Sequence, residues 1–337
     1  MASLFRRLIT RSYSQTSSSV SQMESYLALH EVSKDCYQNS TQLKVPWNGR
    51  GVFGGTLVAQ SLHAAHLTAG EKFRPLSIHS NFLVAAQTDT PLLYQVERIR
   101  DSKNYCTRQV RTIQNGQVVF MAMVSFEAKT LEGSAGKAGP QFDDHRAPPV
   151  VGKDVPPLEE CFDEHKAFGN WIDQLSEYRP KATLATQDQI VAGYGDEPCT
   201  WKLPQDVFDL DHVDPKEYDL TPTERAVTYW VKARGTIQDA SFHQKAIAYI
   251  SDYFYLTLNM RLHMRPMFST KFAVSLDHTV YFHEDVKADD WMTFSIKLRS
   301  CERGKALLIG DLHSKDGKLA ATVIQQGMSM HSEKPKL

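Results

Sequence analysis

Beyond residue 76 the apolar and polar positions alternate in short runs, the period-two signature of half-buried strands. Residues 77–84 form one run. In 92–99, Leu92, Tyr94 and Val96 alternate with Leu93, Gln95 and Glu97. A third run covers 105–113, and Asn115-Gly116 predicts a hairpin turn into a fourth at 117–126. Ahead of them Leu57, Ser61, Leu62 and Ala65 recur at helical spacing, with Thr56 near the start and Gly70 at the end. Before that helix, Gly49, Gly51, Gly54 and Gly55 mark a tight loop. Residues 24–45 read as a short helix and an entering strand.

The pattern then repeats. SIHSNF, LLYQVERI and TRQVRTIQNGQVVFMAMVSF are echoed by SLDHTVYF, MTFSIKL and KALLIGDLHSKDGKLAATVIQQG. The echo pairs Ser77 with Ser275, Phe82 with Phe282, Tyr94 with Phe294, Gly116 with Gly317 and Ser125 with Gln325. A strand near 225–235 leads into SFHQKAIAYISDYFYLTLNMRLHM, which reads as a second central helix, longer than the first. Strands are expected at 271–283, 291–299, 304–313 and 318–330, with Asp316-Gly317 as the counterpart turn. One helix followed by an antiparallel meander long enough to wrap it is the order of a hotdog domain. Two copies predict an α+β double hotdog. The expected organisation is a tail at 1–23, a first hotdog at 24–130, a linker and insertion at 131–224, a second hotdog at 225–332 and a tail at 333–337. Within the insertion a short helix is expected around 158–176.

Composition narrows the function classes. The chain has 337 residues, enough for about two domains, and a net charge of −1 that gives no general pull toward nucleic acid. No apolar run of ~18 residues exists, so no transmembrane helix is expected. Five scattered cysteines without a CxxC pair read as reduced thiols in an intracellular compartment. The first 22 residues carry Arg6, Arg7 and Arg11, many hydroxyls and no acid, the composition of a mitochondrial matrix presequence. Pro335-Lys336-Leu337 is similar to the C-terminal peroxisomal tripeptide, so a peroxisomal address or dual targeting is the alternative.

Several chemistries lack their residues. The sequence holds no GxSxG, no GxxxxGK[ST], no GxGxxG after a strand and no HExxH. Its thirteen histidines show no ligand spacing, and no metal or cofactor is expected.

The residues that remain resemble a family. FGGTLVAQSLHAA, RPLSIHSNFL, VERIRDSKNYCTRQVRTIQNGQVVF, KARGTI, AYISDYFYL, SLDHTVYFHEDVKADDW and GKLAATVIQQG together are similar to the type II acyl-CoA thioesterases, over about 25–130 and 225–330. The resemblance implies a double hotdog that hydrolyses fatty acyl-CoA, with coenzyme A as part of the substrate. It also implies a catalytic trio from the second copy: Asp252 of an SD pair on the central helix, Ser275 and Gln325. Ser275 stands where many members carry Thr; the hydroxyl is kept, and the methyl that restricts its rotamer is lost. In the expected chemistry Asp252 takes a proton from a water that Ser275 and Gln325 orient.

Each residue also has a plainer reading. Asp252 alone could cap a helix, Ser275 could be a strand hydroxyl, and Gln325 is unusual only because a buried amide needs partners. Asp277 and His278 read as a hydrogen-bonded pair shaping the site rather than as an acid–base couple, since adjacent strand residues face opposite ways. His79 is a further site-shaping candidate. Arg100, Asp101 and Arg108 read as loop braces, with coenzyme A phosphate binding as the alternative. Gly54-Gly55 reads as a packing feature, with a phosphate cradle as the alternative. Two other functions compete: a non-catalytic acyl-CoA binder and, less favoured, an enoyl-CoA hydratase. A homodimer or tetramer would fit two hotdogs in one chain.

Overall fold

The computed structural model describes residues 21–46, 49–130, 144–163, 166–167, 197–267 and 270–331. Residues 1–20, where a presequence was expected, the C-terminal tripeptide, most of the 131–196 segment and Trp47-Asn48 lie outside the described residues.

The first half opens with helix α1 (Gln22–Tyr26) and the strands β1 (Leu29–Ser33) and β2 (Cys36–Asn39). These two strands pair as a hairpin, where only one strand was expected; Asp35, with φ of 55°, makes its turn. Helix α2 (Gly54–Ala69) follows, then β3 (Phe73–Phe82), β4 (Leu93–Asp101), β5 (Tyr105–Gln114) and β6 (Gln117–Ala128). Two short strands, β7 (Phe162–Asp163) and β8 (Cys199–Leu203), precede the second half. Phe162–Asp163 is thus extended where a helix was expected, Lys166 and Ala167 are helical as expected, and residues 164–165 and 168–176 of that expected helix are outside the described residues. The second half contains β9 (Ala226–Ala233), helices α3 (Phe242–Ile250) and α4 (Leu258–Leu262), then β10 (Thr270–Ser275), β11 (Asp277–Phe282), β12 (Met292–Glu302), β13 (Lys305–Ser314) and β14 (Leu319–His331).

Among the described residues the strands form one sheet of fourteen, ordered β1-β2-β4-β5-β6-β3-β11-β14-β13-β12-β9-β8-β7, with β10 on β14 beside that path. Each half curls its strands around its own helix, the double hotdog expected from the sequence. Alternation builds the core: in β5, Cys106, Arg108, Val110, Thr112 and Gln114 all point inward. The polar members of that row find partners, as buried polar groups must. Thr112 meets Ser61 of α2 at 3.2 Å, and Gln114 bonds the backbone of Gln87 and Thr90.

The halves meet where β3 pairs antiparallel with β11, and the register places His79 opposite Thr279. Ile78 then faces Val280 and Ser80 faces His278. These pairings make residues 79 and 279 equivalent about a pseudo-two-fold axis, so His278 corresponds to Ile78 and Asp277 to Ser77. The sequence pairing of Ser77 with Ser275 is therefore two residues out of step. A second slip lies in the hairpins. Asn115 and Gly116 both have positive φ, a two-residue turn, whereas in the second copy only Gly317 does, within a three-residue loop closed by Ser314 and Lys318. That extra residue shifts β14 by one. His79 pairs with Met123 whereas Thr279 pairs with Ile324, so Gln325 corresponds to Val124, and not to Ser125.

The second central helix also differs from expectation. It stops at Ile250, and the chain turns through Ser251–Thr257, with Phe254 at φ 57°, before α4. Tyr249, Tyr253, Phe254 and Tyr255 around the break are all buried, and the turn sends them to different neighbours: Tyr249 Oη donates to Glu197 and Tyr255 Oη to the Val323 carbonyl. The expected strand 271–283 is likewise cut in two at Leu276, whose N–H bonds Gln326 O and whose carbonyl accepts from Phe82 N–H.

Candidate active site

These two interruptions bring the site together. Asp252 is the second residue after α3, on the turn rather than on the helix. Ser275 is the last residue of β10, just before the break at Leu276. Gln325 reaches inward from the middle of β14, fully buried. Its Nε2 donates to Asp252 Oδ1 at 3.1 Å and to Ser275 Oγ at 2.5 Å. The three residues thus meet at one carboxamide, although they are far apart in the chain.

Both protons of that amide nitrogen are used, and its oxygen faces His278 Nδ1 at 3.1 Å. Gln325 therefore has no donor left for a water. It aims Asp252 and Ser275, and those two side chains line the cavity. Asp252 is surrounded by apolar and aromatic packing. Burial pushes its carboxyl up to about 7, only partly offset by the Gln325 amide and the Gly55 backbone N–H. Among the described residues no cation offsets that shift, which puts the group where a general base is most effective.

The first half contributes a wall. A Cβ on Gly54 would overlap Asp252 Oδ2, and one on Gly55 would overlap the carbonyl of Tyr249. The two glycines admit the second half's turn onto the start of α2. Their place is against Asp252, and the phosphate-cradle reading has no such contact to support it.

The cavity has a volume of about 650 Å³, the size of a small-molecule site. Phe82, Leu57, Tyr255, Leu256 and Val274 give it an apolar surface. Arg50, from the glycine loop, stands at its wall with its guanidinium 4.2 Å over the ring of Phe272 on β10. It is the only cationic side chain lining the cavity among the described residues, and the sequence reading missed it. The loop's glycines drew attention away from the charge between them.

Other expected site residues lie elsewhere. Asp277 is turned away from the trio, and its carboxylate accepts from the N–H of Gln326 at 3.0 Å. It secures the β11–β14 junction, while the ring of His278 faces Gln325 and Ser251, so the two are not the hydrogen-bonded pair expected from the sequence. His79 is exposed on the outer face of the seam, edge-on to Tyr281. Arg100 and Asp101 are on the far β4–β5 hairpin. There the buried Arg108 bonds Asp101 at 2.6 Å, the Arg100 carbonyl and Thr68 at the end of α2. This is a brace between helix and hairpin, outside the cavity. No cluster among the described residues could hold a metal ion, and the five cysteines are unpaired.

Comparison with known proteins accords with this architecture. The N-terminal domain model of the acyl-CoA thioesterases matches residues 43–127, and the C-terminal domain model matches 185–329. The chain is 30% identical to human acyl-coenzyme A thioesterase 8, covering 82% of this chain and 80% of that protein. The chain belongs to the type II acyl-CoA thioesterase family. Among relatives of this thioesterase, the peroxisomal acyl-coenzyme A thioester hydrolase 1 of Saccharomyces cerevisiae is 28% identical, covering 91% of this chain and 94% of its own. An acyl-CoA thioesterase II structure from Mycobacterium marinum superposes with a TM-score of 0.65 at 22% identity, covering 94% and 99% of the two chains. A hot dog protein from Alicyclobacillus acidocaldarius gives 0.62 at 18% identity, covering 94% and 98%. The fold is the double hotdog, and the protein is an acyl-CoA thioester hydrolase.

Proposed function

We propose that the enzyme hydrolyses fatty acyl-CoA through a water held between Asp252 and Ser275 in the cavity. Asp252 takes a proton from the water as its oxygen adds to the thioester carbonyl. The tetrahedral intermediate collapses, the carbon–sulfur bond breaks, and the proton returns from Asp252 to the coenzyme A thiolate. Products are the free acid and coenzyme A, with no covalent enzyme intermediate. The start of α2 lines the cavity through Gly54, and the positive end of its dipole favours the developing oxyanion.

One observation carries this reading. A carboxylate raised to about 7 by burial shares a cavity with a hydroxyl fixed by the same amide. The apolar wall suits an acyl chain, and Arg50 at its edge suits the coenzyme A phosphates. A passive acyl-CoA binder has no use for a perturbed carboxylate. A hydratase would need His278 at the cavity, and it is fully buried behind Gln325.

Thiol release from a chain-length series of acyl-CoAs, with wild type beside Asp252→Asn, tests the function. Turnover that collapses in the variant supports the reaction and its base. Binding without any release by wild type would make the protein a binder.

We further propose the mitochondrial matrix as its address from the N-terminal composition, with the peroxisome as the alternative. The name of the yeast relative supports the latter. A tagged form lacking residues 1–22 that still enters mitochondria would refute the first.

A further inference from the structure

The trio depends on which way the Gln325 carboxamide points. Oxygen and nitrogen are nearly the same size, so packing alone does not choose between the two orientations. With oxygen turned toward Asp252, the ionised base would face a second acceptor, and Ser275 would lose its donor. Something behind Gln325 must therefore select the productive orientation.

That place is held by His278, which is fully buried, as is Ser251. His278 Nδ1 lies 3.1 Å from Gln325 Oε1, and Nε2 lies 2.8 Å from Ser251 Oγ at the end of α3. Ser80 of the first half donates to the His278 carbonyl at 2.6 Å and fixes its backbone. The amide oxygen can only accept, so Nδ1 must carry a proton. Burial depresses His278 to about 4, so the ring is neutral near pH 7 and Nε2 must then be the bare nitrogen. Ser251 Oγ lies 2.9 Å from Ala248 O, to which it can donate, and 2.8 Å from Nε2; a bare Nε2 requires its one proton to be turned to the ring instead.

The fold does not require this polar arrangement. The pseudo-symmetric counterparts of His278 and Gln325 are Ile78 and Val124, themselves paired across β3 and β6 and fully buried. One half thus fills these two positions with aliphatic side chains. The other fills them with an imidazole and an amide, each needing satisfied partners.

We infer that His278 is a positioning residue for thioester hydrolysis, holding Gln325 through an Nδ1–H tautomer so that the amide nitrogen faces Asp252 and Ser275. Ser251 stands behind the ring, where its hydroxyl can donate to the bare Nε2. This rests on the hydrolytic reading of the site, and two measurements separate the failure of one from the failure of the other.

The first measurement needs no variant and no substrate. In full-length protein labelled with ¹⁵N-histidine, His278 should show a protonated Nδ1 and a bare Nε2 near pH 7.5. Any other protonation state overturns the inference, whatever the enzyme hydrolyses. The second is a kinetic cycle. His278→Leu should lower kcat by about 10–100-fold with KM within about twofold. In a Gln325→Ala background the same change should cost less than about twofold, because the residue it positions is gone. His278→Asn, whose side-chain N–H can stand near Nδ1, should recover most of the loss. Losses that multiply in the double variant, or a His278→Leu enzyme with normal kcat, would overturn the assignment. A wild type that turns over no acyl-CoA would instead refute the hydrolytic reading.

Discussion

Gly54 and Asp252 belong to different halves of the molecule, yet no atom larger than hydrogen fits between the α-carbon of one and the carboxylate of the other. The start of α2 is the surface against which the base is set. Its position there depends on the two curled sheets being joined through β3 and β11.

Gly54→Ala should therefore impair catalysis without unfolding the protein. The added methyl must displace Asp252 or move the start of α2. A displacement of ~1 Å in a reacting group costs on the order of 100-fold. A fall in kcat of about 10–100-fold is expected, with the melting temperature nearly unchanged. Normal steady-state turnover by this variant would show that Asp252 tolerates movement and is not the base.

Asp252 should also set the pH dependence. Only the ionised carboxylate can accept the water's proton, so kcat should fall toward acid pH with an apparent pKa near 7. The neutral His278 should not titrate over that limb. Asp252→Asn should lower kcat by about 10²–10⁴-fold and abolish the limb. A wild-type profile flat from pH 5 to 8 would remove Asp252 from the role.

The same carboxylate should weaken the fold. Its pKa is raised from 3.8 in the unfolded chain to about 7 in the native protein. Between those values the native state binds the extra proton, so stability falls as pH rises across that window. Below the lower value both states are protonated and the penalty is absent. Asp252→Asn should thus be more stable than wild type at pH 8, on the order of 1–3 kcal/mol, with the gap closing below about pH 4. Denaturant unfolding at the two pH values measures this. A variant less stable than wild type at pH 8 would contradict the stated cause of the shift.

Arg50 should act on the coenzyme half of the substrate. Arg50→Ala should raise KM for acyl-CoA about tenfold, the scale of one lost charge-assisted contact, and leave kcat near wild type. The same variant should treat acyl-pantetheine, which lacks the nucleotide phosphates, like wild type. Equal effects on both substrates would mean that Arg50 only closes the cavity over Phe272.

Periodicity carried much of this fold. The alternation in 105–113 and the Asn115-Gly116 turn specify β5, β6 and their hairpin, because residue period and turn chemistry are local properties. The break after Ile250 is not local. Around it Tyr249 bonds Glu197 and Tyr255 bonds the Val323 carbonyl, both far away in the chain. The same holds for the site. Asp252, Ser275 and Gln325 were named by resemblance to a family, whereas their convergence on one amide nitrogen depends on the breaks at Ser251 and Leu276. Arg50 and the orientation of Gln325 were invisible, since both depend on what stands across a cavity or behind a strand. Arg100 and Asp101 were suspected because charge near a turn resembles a ligand site, but the structure gives them to the Arg108 brace.

The single additional residue in the second hairpin has a consequence for engineering. Constant spacing across the repeat would send a designer to Ser125 when grafting the counterpart of Gln325 into the first half. The strand register sends that amide to Val124 instead, beside Ile78, the counterpart of His278. A symmetric, two-centre enzyme built on the first choice would place its new amide one strand position off the core, on the wrong side of the sheet.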